Sequence, residues 1–196
     1  MSEIIKGPWP DPAERPARPK IPGSDWATGL VQPTARVPSF RRLVAADQDR
    51  LWHWLRLALW EPPPAGLRPL TVVGAPQTRI YAENWGRSTD LGLVAVVGGT
   101  DAGACWMRVL PEGVGLASVD AVTPQLGIAL EAEYRHRGFG KALLKRTLQQ
   151  AWEHGHLQVS LTVHPLNPAI ALYKSCGFQK IGERRSYHLM LARAAR

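Results

Sequence analysis

Cysteine is scarce in this chain: Cys105 and Cys176 are the only two in 196 residues. No metal-ligand spacing surrounds either, and two cysteines do not make a disulfide framework. Both are read as reduced thiols, the compartment as cytoplasmic, and no metal is expected. Long apolar runs are absent too. No stretch approaches the ~18 consecutive apolar residues of a membrane span, and the richest window, Leu51–Trp60, contains His53 and Arg56. The segment Met1–Pro8 lacks the apolar core of a signal peptide. No membrane partner is expected. Acid is in deficit: 16 Asp and Glu face 24 Lys and Arg, a net charge of +8. Such a field favours anionic partners. Nucleic acid, an anionic membrane and a phosphate-rich cofactor all qualify, so charge alone does not choose.

What is present suggests one domain with a real core, preceded by a different kind of segment. Residues 1–38 hold eight of the seventeen prolines. Proline fixes φ and removes a donor, so this stretch is expected to be a solvated tail or a strap on the domain. Trp9 and Trp26 favour the strap. Residues 39–196 form the domain. The pattern predicts a strand at Ser39–Leu43. A helix follows, capped by Asp47 and running to Trp60, apolar nearly all round and so covered on more than one side. A second helix is expected over Pro76–Trp85. Leu91–Val97 and Ala104–Leu110 read as a hairpin through Gly98-Gly99-Thr100-Asp101. Leu126–Leu130, Val159–Val163 and Tyr187–Leu191 read as strands, with helices over Gly138–Glu153 and Pro168–Ser175. The order βααβββαβαβ predicts an α/β fold on a mostly antiparallel sheet.

The segment from Leu126 to Leu144 carries the chemistry. It reads strand, short turn, helix. Gly138 and Gly140 leave N–H groups unshielded at a helix start, where the helix dipole is positive; this is an anion site in outline. Arg135, Arg137 and Lys141 surround it with positive charge. A plain glycine turn on a basic surface would look the same on the glycines alone. The spacing is neither G-x-G-x-x-G nor G-x-x-x-x-G-K-[ST], so neither a dinucleotide fingerprint nor a P-loop fits.

Arg135-x-x-Gly138-x-Gly140 resembles the acetyl-CoA pyrophosphate loop of the GNAT superfamily of N-acetyltransferases. Downstream, Val159–Val163 with Asn167, Leu172-Tyr173 and Gly177-Phe178 resembles the closing motif of that family. The resemblance spans about Phe40–Leu191. Trp85-Gly86-Arg87 with Asp90–Ala95 is similar to a group of bacterial GNAT proteins with no settled substrate. The resemblance implies the GNAT fold: a mixed, mostly antiparallel twisted sheet, splayed near Leu130, with helices on both faces. It implies acetyl-CoA as co-substrate, an amine-bearing acceptor, and direct attack of the amine on the thioester. The backbone of Ile128, Ala129 and Leu130 would bind the pantetheine arm like an added strand. Arg135, His136, Arg137, Gly138, Phe139, Gly140, Lys141 and Ala142 would hold the pyrophosphate. Asn167 would bind the pantetheine side. Tyr173 would protonate the leaving thiolate, with a backbone donor near Leu130 meeting the oxyanion.

The chain departs from relatives that carry an acid at the positions of Gln125 and Thr162, since neither residue can act as a base. Glu131, Asp120, His164 and Glu83 stay open as the base, or the amine arrives neutral. Read without the family, Tyr173 is a core aromatic beside Phe178, Asn167 is a helix cap ahead of Pro168, and Cys176 is a structural thiol. Two rival functions also stay open: an acyl-CoA-binding protein without turnover, and a nucleic-acid binder using the basic tail, which lacks the regular aromatic–basic interleaving that binding would need. Association into a homodimer is open as well.

Overall fold

A computed structural model describes Val37–Ala195. The proline-rich segment over residues 1–38 lies almost wholly outside the described residues. One seven-stranded sheet organises the rest: β1 (Ser39–Arg42), β2 (Leu91–Val97), β3 (Thr100–Arg108), β4 (Gln125–Leu130), β5 (Gln158–Val163), β6 (Gln179–Arg184) and β7 (Tyr187–Arg193). Their order across the sheet is β1-β2-β3-β4-β5-β7-β6. Every neighbouring pair is antiparallel except β4 and β5. The β2–β3 hairpin forms where expected. Its turn is two residues, Gly98 and Gly99, with φ of +61° and +84°. A two-residue turn with both φ positive matches the right-handed twist of the strands, and glycine adopts it without strain. Strand β6 adds to the strands read from the sequence. Its side chains are almost all exposed, so Gln179–Arg184 lacks the apolar alternation that marks a strand.

Helices cover both faces of the sheet. Helix α1 (Gln48–Ala58) places Leu51, Trp54 and Leu55 against Val94, Ala104, Trp106 and Ala129. Helix α4 (Phe139–Glu153) places Leu143, Leu144 and Leu148 on the opposite face, against Leu93, Cys105, Met107 and Leu161. That double cover explains why β2 reads Leu-Gly-Leu-Val-Ala-Val-Val without polar alternation. Helix α1 is not buried all round. One stripe enters the core, while Ala58 and the following Leu59 and Trp60 line an open cleft.

The helix expected over Pro76–Trp85 is cut short. Two single turns, α2 (Leu70–Val73) and α3 (Pro76–Arg79), are followed by turns that pass Asn84 at φ +51°. Arg108 supplies the reason. Its Nη1 donates to the carbonyls of Ile80 at 2.9 Å and Glu83 at 2.7 Å, and its Nη2 to Asn84 at 3.4 Å. Carbonyls that a continuing helix would pair internally are held by a guanidinium instead. The same group grips Asp90 with both arms, Nε at 2.8 Å and Nη2 at 2.7 Å, and both side chains are buried. Asp90 also accepts the N–H groups of Gly86 and Arg87, each at 3.0 Å. Arg108 lies over the Trp85 ring, 5.3 Å from its centre. The Trp85–Ala95 signature noted in the sequence is therefore the wrapping of one buried ion pair. The short helix α5 (Ala169–Ser175) completes the order.

Arg108→Met keeps much of the side-chain volume but leaves Asp90 buried and unpaired, with three carbonyls unsatisfied. The variant should lose about 3–5 kcal/mol of unfolding free energy, read from its urea midpoint. A loss within a few tenths would show that the pair is not structural.

Candidate active site

The single parallel junction in the sheet creates the site. β4 and β5 are in register at one pair, Gln125 with Ser160, supported by the Ser160 N–H donating to the Pro124 carbonyl at 3.1 Å. Beyond it the strands part. The Glu131 N–H donates to the Ala102 carbonyl at 2.9 Å, which sets the alternation of the β3–β4 ladder. Ala129 and Gly127 therefore turn their backbone groups toward β3, while Ile128 and Leu130 turn theirs toward the gap. The Leu130 carbonyl is taken by Arg135 Nε at 2.8 Å. What remains in the gap are the N–H and C=O of Ile128 and the N–H of Leu130. Of the three strand residues named from the sequence, Ala129 thus faces the wrong way for an added strand.

The gap leads to the start of α4. Gly138 is its cap, at φ +80°, and its carbonyl accepts from Lys141 and Ala142, both at 3.1 Å. His136 is also left-handed, at φ +58°. Among the described residues no acceptor takes the N–H of His136, Arg137, Gly138, Phe139 or Gly140. Five successive free donors at the positive end of a 15-residue helix make an anion cradle. Arg137 and Lys141 stand exposed beside it, and Arg135 braces it through Leu130. Phe139 offers only its N–H, because its ring is buried, and the Ala142 N–H is already taken by the Gly138 carbonyl. A methyl group on Gly140 would stand 3.4 Å from Leu130 and 3.5 Å from Leu172, ordinary contact distances. Gly140 is therefore needed for access rather than for its own conformation, whereas Gly138 is needed for its φ.

On the far side of the gap lie Asn167 and Tyr173. Asn167 Oδ1 accepts the Ala169 N–H at 2.9 Å, so the residue caps α5 and leaves its amide N–H₂ for another partner. Tyr173 packs edge-on against Phe178, with ring centres 5.9 Å apart. Both plain readings of these residues hold, yet both also line a cleft of about 1090 Å³. Burial pushes the Tyr173 phenol well above its ordinary pKa, with nearby Cys105 adding to the effect. The group keeps its proton near neutral pH; it can donate and cannot act as a base. Cys105 itself is fully buried, its thiol pushed up to about 12 by burial, which makes it inert.

These elements fit a phosphate-bearing chain lying in the gap with its anion on α4, and comparison with known proteins gives the family. The model of the acetyltransferase (GNAT) family matches residues 52–178. The chain belongs to that family. A ribosomal-protein alanine N-acetyltransferase of Escherichia coli is 37% identical over 62 residues, 31% of this chain and 42% of that protein. The match thus spans less than half of that relative. The GNAT domain of PAT from S. lividans superposes with a TM-score of 0.59 at 17% identity, covering 80% of this chain and 90% of the other. PaiA N-acetyltransferase from Thermoplasma acidophilum, solved in complex with coenzyme A, superposes at 0.58 and 19% identity, covering 80% and 99%.

The rest of the cleft lies beyond the gap. Gly127, Thr162 and His164 floor it. The end of α1, the α2–α3 segment and the Glu112–Val119 loop wall it, and the β6–β7 turn overhangs it. Gln125 holds that loop. Its Oε1 accepts from Tyr81 Oη at 3.1 Å and Ala117 N–H at 3.2 Å, and its Nε2 donates to the Val114 carbonyl at 2.7 Å. A methyl on Gly115 would collide with Gln125 at 2.4 Å and Tyr81 at 2.7 Å. Residues 111–123 read from the sequence as a Gly-rich loop, and the family layout places the first two helices beside such a cleft; the bonds from Gln125 and Tyr81 that hold the loop were not legible.

The four acid–base candidates fare differently. Glu131 accepts from His53 at 2.9 Å and Trp54 at 3.2 Å. Glu83 pairs with Arg79 at 3.2 Å. Asp120 accepts the Val122 and Thr123 N–H groups, the Thr123 hydroxyl and the Gln158 amide, which hold its carboxyl below the usual range. His164 alone of the four lines the cleft, between Trp60 and Tyr187. Its Nδ1 accepts the Leu166 N–H at 3.1 Å, so a neutral ring carries its proton on Nε2, and the free side is a donor.

Gly140→Glu should fold but lose at least about tenfold in coenzyme A affinity, since a carboxylate then stands among the free N–H groups. Titration calorimetry on the purified variant checks it. Wild-type affinity in a folded variant would mean that the α4 start does not hold the anion.

Proposed function

We propose that this chain transfers the acetyl group of acetyl-CoA to an amine. The carrying observation is the parting of β4 and β5 onto five unpartnered N–H groups at the α4 start. The pantetheine arm fits the open edge of Ile128 and Leu130, with the Asn167 amide facing it. The pyrophosphate fits the cradle from His136 to Gly140, with Arg137 and Lys141 supplying charge. Coenzyme A supplies the activated thioester. The protein's own part is positioning and electrostatics. The Ile128 and Leu130 N–H groups point into the gap, where a carbonyl oxygen gaining charge would find a fixed donor. Tyr173 offers its phenolic proton to the departing sulfur.

No carboxylate among the sequence candidates is free to take the amine proton, and the open nitrogen of His164 is a donor. An acceptor that enters as the neutral amine loses its proton to water after attack and needs none of these groups, nor Glu61 or Glu112, the carboxylates that do line the cleft.

Saturating coenzyme A should raise the melting temperature; at ~100 times its dissociation constant it adds roughly 2.7 kcal/mol. No shift at millimolar ligand in cofactor-free protein would remove this reading. Tyr173→Phe should keep coenzyme A affinity within a few-fold and lower kcat by about 10²–10⁴. Unchanged kcat, with chemistry shown to be rate-limiting, would leave Tyr173 as a core aromatic. The pH dependence of kcat/KM should follow the acceptor. Two amines whose pKa values differ by about two units should give inflections displaced by the same amount. A common inflection for both would assign the titration to an enzyme group.

A further inference from the structure

We infer that the acceptor is a small amine that also carries an acidic group, a carboxylate or a phosphate set several atoms from the nitrogen, and that Arg184 and Arg185 at the β6–β7 turn take it. The inference rests on the acetyltransferase reading above. Only Arg185 and Ser186 connect β6 to β7, and Arg185 stands there at φ +53°. A hairpin turn of this length favours glycine or asparagine at a positive φ, and another residue held there carries strain. Both arginines line the cleft, and both are exposed. Arg184 donates only to the Glu183 carbonyl, at 3.3 Å, and the Arg185 guanidinium has no partner among the described residues. Two forked cations free of carboxylates suit a carboxylate or a phosphate.

The turn brings this charge to an end of the cleft that already offers a donor. Val163 pairs with His188, so His164 follows beside the turn, edge-on to Tyr187 with ring centres 5.7 Å apart. Its free Nε2 donates, as described above. The carboxylates of the cleft do not cancel the charge. Glu61 is bound by Arg68 and accepts from Tyr187 Oη at 3.2 Å, while Glu112, on another wall, pairs with neither arginine. The walls formed by α1 and the α2–α3 segment are apolar, through Leu55, Ala58, Leu59, Val72 and Ile80, and suit a hydrocarbon spacer. Sheet order sets its length. Strand β7 lies beyond β5, which has itself parted from β4. At about 4.8 Å per strand the turn stands roughly 10 Å from the Ile128 backbone, a span that suits a spacer of about three or four carbons and leaves the acid of an α-amino acid short of it.

The test uses the full chain with acetyl-CoA and a matched acceptor panel. γ-Aminobutyrate and aminopropyl phosphate carry the acid at the fitting distance and separate its two sources. Butylamine lacks the acid, diaminobutane replaces it with a cation, and glycine holds it too close to the amine. At least one of the two long acids should exceed each of the other three in kcat/KM by about tenfold or more, at equal concentrations of neutral amine. Arg185→Gly removes the charge and relieves the backbone. It should keep or raise the melting temperature while cutting the preference over butylamine about three- to tenfold, a split that a purely structural role would not give. Adding Arg184→Gln should abolish the preference. Coenzyme A stabilisation of each variant shows that it is folded. Equal turnover of the long acids and butylamine overturns the inference. So does a preference for glycine or diaminobutane, a preference that survives the double variant, or an enzyme that binds coenzyme A and acetylates neither long acid. Failure to bind coenzyme A at all would instead sink the acetyltransferase reading beneath it.

Discussion

Strands β4 and β5 share one register pair, at Gln125 and Ser160, and then diverge. Everything that gives this chain a site depends on that parting. A sheet that stayed closed would pair the backbone groups of Ile128 and Leu130 within the protein. The parting leaves them unpaired in the gap between the strands, with the α4 start and the cleft nearby. The two cores on opposite faces hold the parted strands without pairing them. Leu143 and Leu144 anchor α4 beneath β2 and β3, and Leu51, Trp54 and Leu55 anchor α1 above β3 and β4.

Buried polar groups shape the wall of the cleft. Arg108 and Asp90 form a desolvated ion pair whose remaining hydrogen bonds go to the backbone around Ile80–Asn84. Such a pair adds little net stability over apolar packing, but losing one partner is costly. Its effect here is geometric: it stops a helix and sets the wall that carries Tyr81. Gln125 then joins Tyr81 to the Val114–Ala117 loop. The Gln125 side chain is thereby wholly engaged as a brace.

Much of the fold could be read from residue patterns. The Gly98-Gly99 hairpin, the α4 start at Gly138 and the closing Asn167–Phe178 segment all lie where local signals placed them, because turn chemistry and helix starts are local. The expected helix over Pro76–Trp85 failed for a non-local reason: Arg108, more than twenty residues downstream, takes its carbonyls. Strand β6 escaped notice because an exposed edge strand needs no apolar alternation. For the site, backbone donors and glycines were legible. The direction each strand residue faces was not, and Ala129 turns toward β3.

The sequence by itself carried the family resemblance, the glycine-opened start of α4 and the Asn167 cap ahead of α5, because each rests on residue types at short spacing along the chain. Only the tertiary structure decided which backbone groups are free among the described residues, which acid–base candidates are already engaged, and that the Trp106 ring covers Gly127. Those properties depend on register and burial across elements far apart in the chain, where residue spacing carries no information.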